Sequence, residues 1–98
     1  MTASPIDTDD ERRRVVEELH DHLAATAERP LDRTANRWIG EAQALAADLR
    51  TAPDDADLVR KRAADIASLL AEVDDIDDPT ANDHVAAAAD LADRLQAD

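Results

Sequence analysis

The chain has the length of one modest domain, 98 residues, and its 24 acidic and 11 basic residues leave a formal charge of −13. It has no cysteine for an oxidising compartment to cross-link, and no run long and apolar enough to span a bilayer. Met1 to Thr8 has neither the positive region nor the apolar region of a secretory signal. The expectation is a soluble, cytoplasmic, single helical domain over residues 1–98, with residues 1–7 as a disordered tail, no membrane contact and no nucleic-acid partner.

Thr8 followed by Glu11 reads as a capping box, and the run behind it carries Val15, Val16, Leu19, Leu23 and Ala27 on one stripe before Pro30. A first helix is predicted over about 8–29. Asp32 suits an N-cap for a second helix over about 33–51, whose broad apolar face is Ala35, Trp38, Ile39, Ala42, Leu45, Ala46 and Leu49. Asp54 or Asp55 caps a third run with Val59, Ala63, Ile66, Leu70 and Val73, widened on its flank by Leu58, Leu69 and Ile76. Asp78 as N-cap with Pro79 at the first helical position opens the fourth, which carries the thinnest stripe: Val85, Ala88, Leu91, Ala92 and Leu95.

Short connections between helices of similar length favour antiparallel neighbours, so the predicted fold is all-α, an antiparallel up-down-up-down four-helix bundle with three long helices and a thinner fourth. Asp32-Arg33-Thr34-Ala35-Asn36 and Asp78-Pro79-Thr80-Ala81-Asn82 echo one another at the openings of helices 2 and 4. Shared capping chemistry accounts for that match more simply than duplication of a helical hairpin.

Leu, Ile and Val make up only about a fifth of the chain, which beside this charge lies near the disordered class; the helical spacing of those residues and 22 alanines argue against disorder. Asp outnumbers Glu 18 to 6, and ten of the eleven basic residues are Arg, with Lys61 the only lysine. This Asp-rich, Lys-poor, Ala-rich balance resembles the short acidic helical proteins of haloarchaeal type, and the resemblance implies a high-salt cytoplasm. At molar salt the Debye length is about 3 Å, so self-repulsion that would loosen the fold in dilute buffer is screened.

Chemistry-bearing patterns are few. Glu17-Glu18-Leu19-His20 contains one Glu-x-x-His pair, whereas carboxylate-bridged di-metal bundles need a second on another helix. His22, two residues from His20, faces the other way and reads as solvated. Glu18-x-x-Asp21 with Glu72-x-x-Asp75 resembles the Glu-x-x-Glu and Glu-x-x-Asp pairs through which all-α nucleotide pyrophosphatases of the MazG type bind magnesium. That resemblance implies an alternative, a metal-dependent hydrolase using Glu18, Asp21, Glu72 and Asp75. Seven such acid pairs occur in the chain, about what its composition alone produces. Asp74-Asp75-Ile76-Asp77-Asp78 lacks the glycine and downstream glutamate of a calcium loop.

Arg12-Arg13-Arg14 and Arg60-Lys61-Arg62 fall at one end of the bundle with Arg50 and Arg94, an arrangement that suits a phosphate. Pairing along their own helices is the competing reading: Asp9 with Arg13, Asp10 with Arg14, Arg14 with Glu18, Asp57 with Lys61 and Asp90 with Arg94. At the other end the Thr-Ala-Asn openings place Asn36, Arg37, Trp38, Asn82 and His84 in one mixed polar and aromatic neighbourhood, the candidate binding surface. Trp38 also fits a core anchor whose indole N–H reaches a loop carbonyl. Gly40, the sole glycine, lies inside helix 2, where it suits close helix–helix approach.

No nucleophile–base set, glycine-rich phosphate loop or Cys/His ligand spacing is present. The expectation is therefore a small protein-interaction or structural module without catalytic activity, cofactor or metal. Its partner would be another protein or a second copy of itself.

Overall fold

The computed structural model describes residues 9–51, 55–73, 76 and 78–96. Four helices follow one another: α1 (Asp9–Ala27), α2 (Arg33–Thr51), α3 (Ala56–Ala71) and α4 (Pro79–Gln96). α1 packs on α2, α2 on α3 and α3 on α4, and α4 returns to α1, while among the described residues no Cα atoms of the two diagonal pairs come within 8 Å. The result is the expected antiparallel four-helix bundle, closed into a ring by the α1–α4 contact.

The helix starts follow from capping chemistry. The N–H of Ala35 donates to the Asp32 carboxylate at 3.2 Å, that of Leu58 to Asp55 at 3.0 Å, and that of Ala81 to Asp78 at 3.2 Å. Each bond satisfies one of the donors that a helix N-terminus leaves without an internal partner. Ala35 and Ala81 occupy equivalent places behind their caps and both are buried. The internal echo is thus a repeated N-terminus. Thr8 and Asp54, the other proposed cap positions, lie outside the described residues, as does the tail before them.

The third helix ends earlier than its apolar stripe. Glu72 is the C-cap, and its N–H, like that of Val73, turns back on the last carbonyls of α3. Val73 and Ile76 therefore stand beyond the helix, yet both are half-buried, and Val73 packs against the core. Burial rather than helical periodicity explains their apolar character.

The core is narrow. Antiparallel order puts Val15, Leu49, Val59 and Leu95 at the end where α1 begins, and Leu23, Ile39, Ile66 and Leu70 towards the end where it finishes, all buried. Ala42, Ala46, Ala63, Ala88 and Ala92 fill the spaces between, each fully covered. Alanine lets the helix axes approach, and the close approach lets a few large aliphatic side chains exclude water from the whole interior. Thr26 is the one buried polar side chain among the described residues, and its hydroxyl donates to the His22 carbonyl one turn back at 2.7 Å.

Gly40 does not serve close approach. It is exposed, and a Cβ built on it would meet nothing within 4 Å. An unstrained interior glycine costs the helix backbone entropy without a return in packing. Gly40→Ala should therefore raise stability by about 0.5–1 kcal/mol, readable as a higher urea midpoint with an unchanged slope; a lower midpoint would mean that the position is crowded after all.

Candidate interaction surface

On α2 and α3 the apolar arc extends beyond the fully buried stripe, and Leu45, Leu58 and Leu69 pack against the core from its edge. Trp38 precedes the buried Ile39, Leu45 precedes Ala46, Leu58 precedes Val59 and Leu69 precedes Leu70. One residue is 100° of helical rotation, so each of these four side chains stands on the flank of its stripe. All four are half-buried rather than enclosed. Three of them, Trp38, Leu45 and Leu69, line an open, shallow groove of about 640 Å³ between the two helices, together with Asp65, Ser68 and Glu72.

Trp38 is therefore a flank residue and not a core anchor. The exposed Arg37 guanidinium lies 5.5 Å from its ring centroid and also reaches Glu41 at 3.7 Å, one turn on. Asn36, beside them, is exposed. Asn82 and His84 stand on α4, diagonally across the bundle from α2, and each has a different occupation. The Asn82 side chain accepts from the Ile76 N–H at 3.1 Å and donates to the Ile76 carbonyl at 2.7 Å, so it pins the α3–α4 connection to the first turn of α4. The two Asn residues of the echo thus differ: Asn36 faces solvent and Asn82 holds a loop.

His84 meets His22 of α1, with the two Nδ1 atoms 2.9 Å apart and the ring centroids 5.1 Å apart. That centroid separation is close to the nitrogen contact plus a ring radius at each end, so the rings meet head-on. One Nδ1 carries the proton and the other accepts it, the geometry of one shared N–H···N bond. His22 is accordingly half-buried against α4, not solvated. A bond of this kind contributes about 1 kcal/mol, and here it ties the two helices that close the ring. His20 is half-buried on its own.

A second α1–α4 tie lies just past the histidines. Arg29, after the end of α1, pairs with Asp78, the cap of α4. The Arg29 hydrogen bond holds the Asp78 carboxyl below its usual value. Desolvation, the next largest influence, pushes the other way, and the Ala81 N–H, the Arg29 charge and the Thr80 N–H act in the same direction as the hydrogen bond.

The arginine-rich end is knit together across helices. Arg94 of α4 reaches Glu11 of α1 at 3.4 Å, and Arg50 of α2 reaches Glu17 of α1 at 3.2 Å. Within α3, Arg60 pairs with Asp57 and Arg62 with Asp65, each at 3.4 Å and three residues apart. Of these pairs two are cross-helix and two are i,i+3, while the expected Asp9–Arg13 pair rests on a side chain outside the described ones. Exposed pairs of this sort contribute tenths of a kcal/mol each.

The acids of the magnesium reading are dispersed. Glu18 and Asp21 are exposed on α1, Glu72 is exposed at the end of α3, and α1 and α3 are diagonal to one another. Asp75, like Asp74 and Asp77 of the acidic run, lies outside the described residues. Among the described residues no three His, Cys, Asp or Glu side chains are grouped to hold a metal ion, and no helix is long and apolar enough to cross a membrane.

Fold and surface together define a small all-helical module with an open apolar groove on an acidic body. The chain belongs to a family described as a domain of unknown function, DUF8152, whose profile matches residues 15–98. The match begins at the first core valine and takes in the rest of α1 and all of α2, α3 and α4. No curated protein and no solved structure matches the chain.

Because the folded-state pKa of Asp78 is depressed, the stability it confers is present above the ordinary carboxylate range and is lost as pH falls through the folded value. Asp78→Asn should melt below the parent at neutral pH, and the gap should close as the pH is taken below that range. A gap that persists unchanged in acid would show that the charge on Asp78 is not what ties α4 to Arg29.

Proposed function

We propose that the protein is a small helical protein-interaction module without catalytic activity, adapted to a high-salt cytoplasm, and that it meets its partner through the outer face of α2 and α3 around Arg37 and Trp38. The observation that carries this reading is the surplus of apolar flank on those two helices. Trp38, Leu45 and Leu69 line an open groove outside the buried Ile39, Ala46 and Leu70, and Leu45 and Leu69, though packed against the core, remain partly open to water there. Large apolar side chains aligned on one face, with polar residues along the rim, mark a surface that gains by being covered. A tryptophan with an arginine over its ring is moreover the pair of residue types that most often dominates binding energy.

The aspartate-rich surface and single lysine support the salt adaptation. With −13 charges on 98 residues, a partner can be approached closely only where counter-ions screen the field or where the partner's own charge is opposite. The dispersal of Glu18, Asp21 and Glu72 over diagonal helices supports binding over metal-dependent hydrolysis.

Crosslinking from defined positions tests the reading. A photo-activatable side chain placed at Arg37 in α2, and in a second variant at Asp93 on the exposed side of α4, would be irradiated in the cells that make the protein. The expected outcome is a discrete adduct from the Arg37 position and none from Asp93. Equal adducts from both positions, or an adduct from Asp93 alone, would move the working surface off α2 and α3.

A further inference from the structure

We infer that the α2–α3 groove takes a single amphipathic helix of another protein, with aliphatic anchors flanked by arginine or lysine. The inference rests on the interaction reading above and gives the partner its chemistry. The groove runs between two antiparallel helices, so its long direction is theirs. Trp38 and Leu45, which line it on α2, are separated by two turns, about 10 Å. An apolar strip of this length matches a helix of two to three turns presenting anchors at i, i+4 and i+7. A helix laid there would add a fifth rod against the bundle, with its apolar face covering the half-buried Trp38, Leu45 and Leu69.

Charge selects among the possible occupants. Among the described residues two carboxylates, Asp65 and Glu72, and no cationic side chain line the groove, while Arg37 lies over the Trp38 ring at its edge. Asp65 is held by Arg62 at 3.4 Å, whereas Glu72 has no ion-pair partner among the described residues. A second copy of the chain would bring the same patch to a two-fold axis, setting Asp65 and Glu72 near their own counterparts and adding another −13 charges. A helix carrying arginine or lysine beside its anchors relieves that field and gives Glu72 a contact partner. Contact pairs are the electrostatic interactions that survive strong screening, so the preference persists in salt where long-range steering is lost.

The test is selection from a displayed library of fourteen-residue amphipathic helices in which the anchor positions vary among apolar residues and the flanking positions vary among Arg, Lys, Glu, Gln and Ser. The full chain is the bait, at the lowest KCl concentration that leaves its circular dichroism unchanged. The expected result is enrichment of Arg and Lys at the flanks in clones that no longer bind Trp38→Ala. Among these clones, synthetic peptides should shift the emission of the single tryptophan and lose about tenfold in affinity to Glu72→Arg. Glu72 is an exposed helix C-cap where arginine suits the helix dipole, so that variant keeps the fold.

Trp38-dependent clones with neutral or acidic flanks would overturn the charge inference and leave the groove standing. Enrichment that ignores Trp38→Ala would overturn both. A tryptophan shift that grows with protein concentration in the absence of peptide would assign the groove to a second copy.

Discussion

Everything in this bundle depends on enclosing four narrow aliphatic stripes beneath a surface that repels itself. The chain spends few large apolar residues on that task, and alanine fills the rest, so the interior excludes water only while all four helices stay at close range. The α1–α4 contact is decisive because it joins the two ends of the chain. Leu19 and Leu23 from α1 and Ala88, Leu91 and Leu95 from α4 face a common core, while the His22–His84 bond, the Arg29–Asp78 pair and the Arg94–Glu11 pair fasten the same seam along its length. Each fastening is weak, and their value is in register: they hold α4, the helix with the thinnest stripe, in the one position where its alanines fit.

The outer face of α2 and α3 is the place where this economy is broken. Trp38, Leu45 and Leu69 are among the larger apolar residues the chain has, and they are spent on a flank that water still reaches. A purely structural bundle would gain solubility by placing polar residues there, as α1 does with Glu18 and Asp21 and α4 does with Asp83 and Asp90, all exposed. The contrast between the faces is what turns a fold, which by itself says nothing about activity, into an argument for binding.

Much of the fold was legible because local chemistry decides it. The second helix runs over the residues its pattern predicts, and Asp32, Asp55 and Asp78 cap where cap residues followed by apolar periodicity should. Leu58 and Leu69 were visible as a widening of the third stripe. The outward direction of Trp38 was not, because a tryptophan one position from a core isoleucine satisfies the same pattern whether it turns inward or lies on the flank. The histidine bond was hidden for a different reason: residues 22 and 84 are 62 apart, and only the ring order of the helices brings them together. The grouping of Asn36, Arg37 and Trp38 with Asn82 and His84 came from putting both Thr-Ala-Asn openings at one end. Sharing an end does not make diagonal helices neighbours.

The salt adaptation we propose requires that this thin core hold only when the charge around it is screened. Urea unfolding followed by circular dichroism, repeated from about 0.05 M to about 3 M KCl, tests it most directly, since the Debye length falls to about 3 Å by 1 M. The account predicts a midpoint that climbs steeply with salt and levels off once screening is complete, with helicity already reduced at the lowest salt. A midpoint that stays level or falls as KCl is added would show that self-repulsion does not limit this fold, and that its acidic surface needs another explanation.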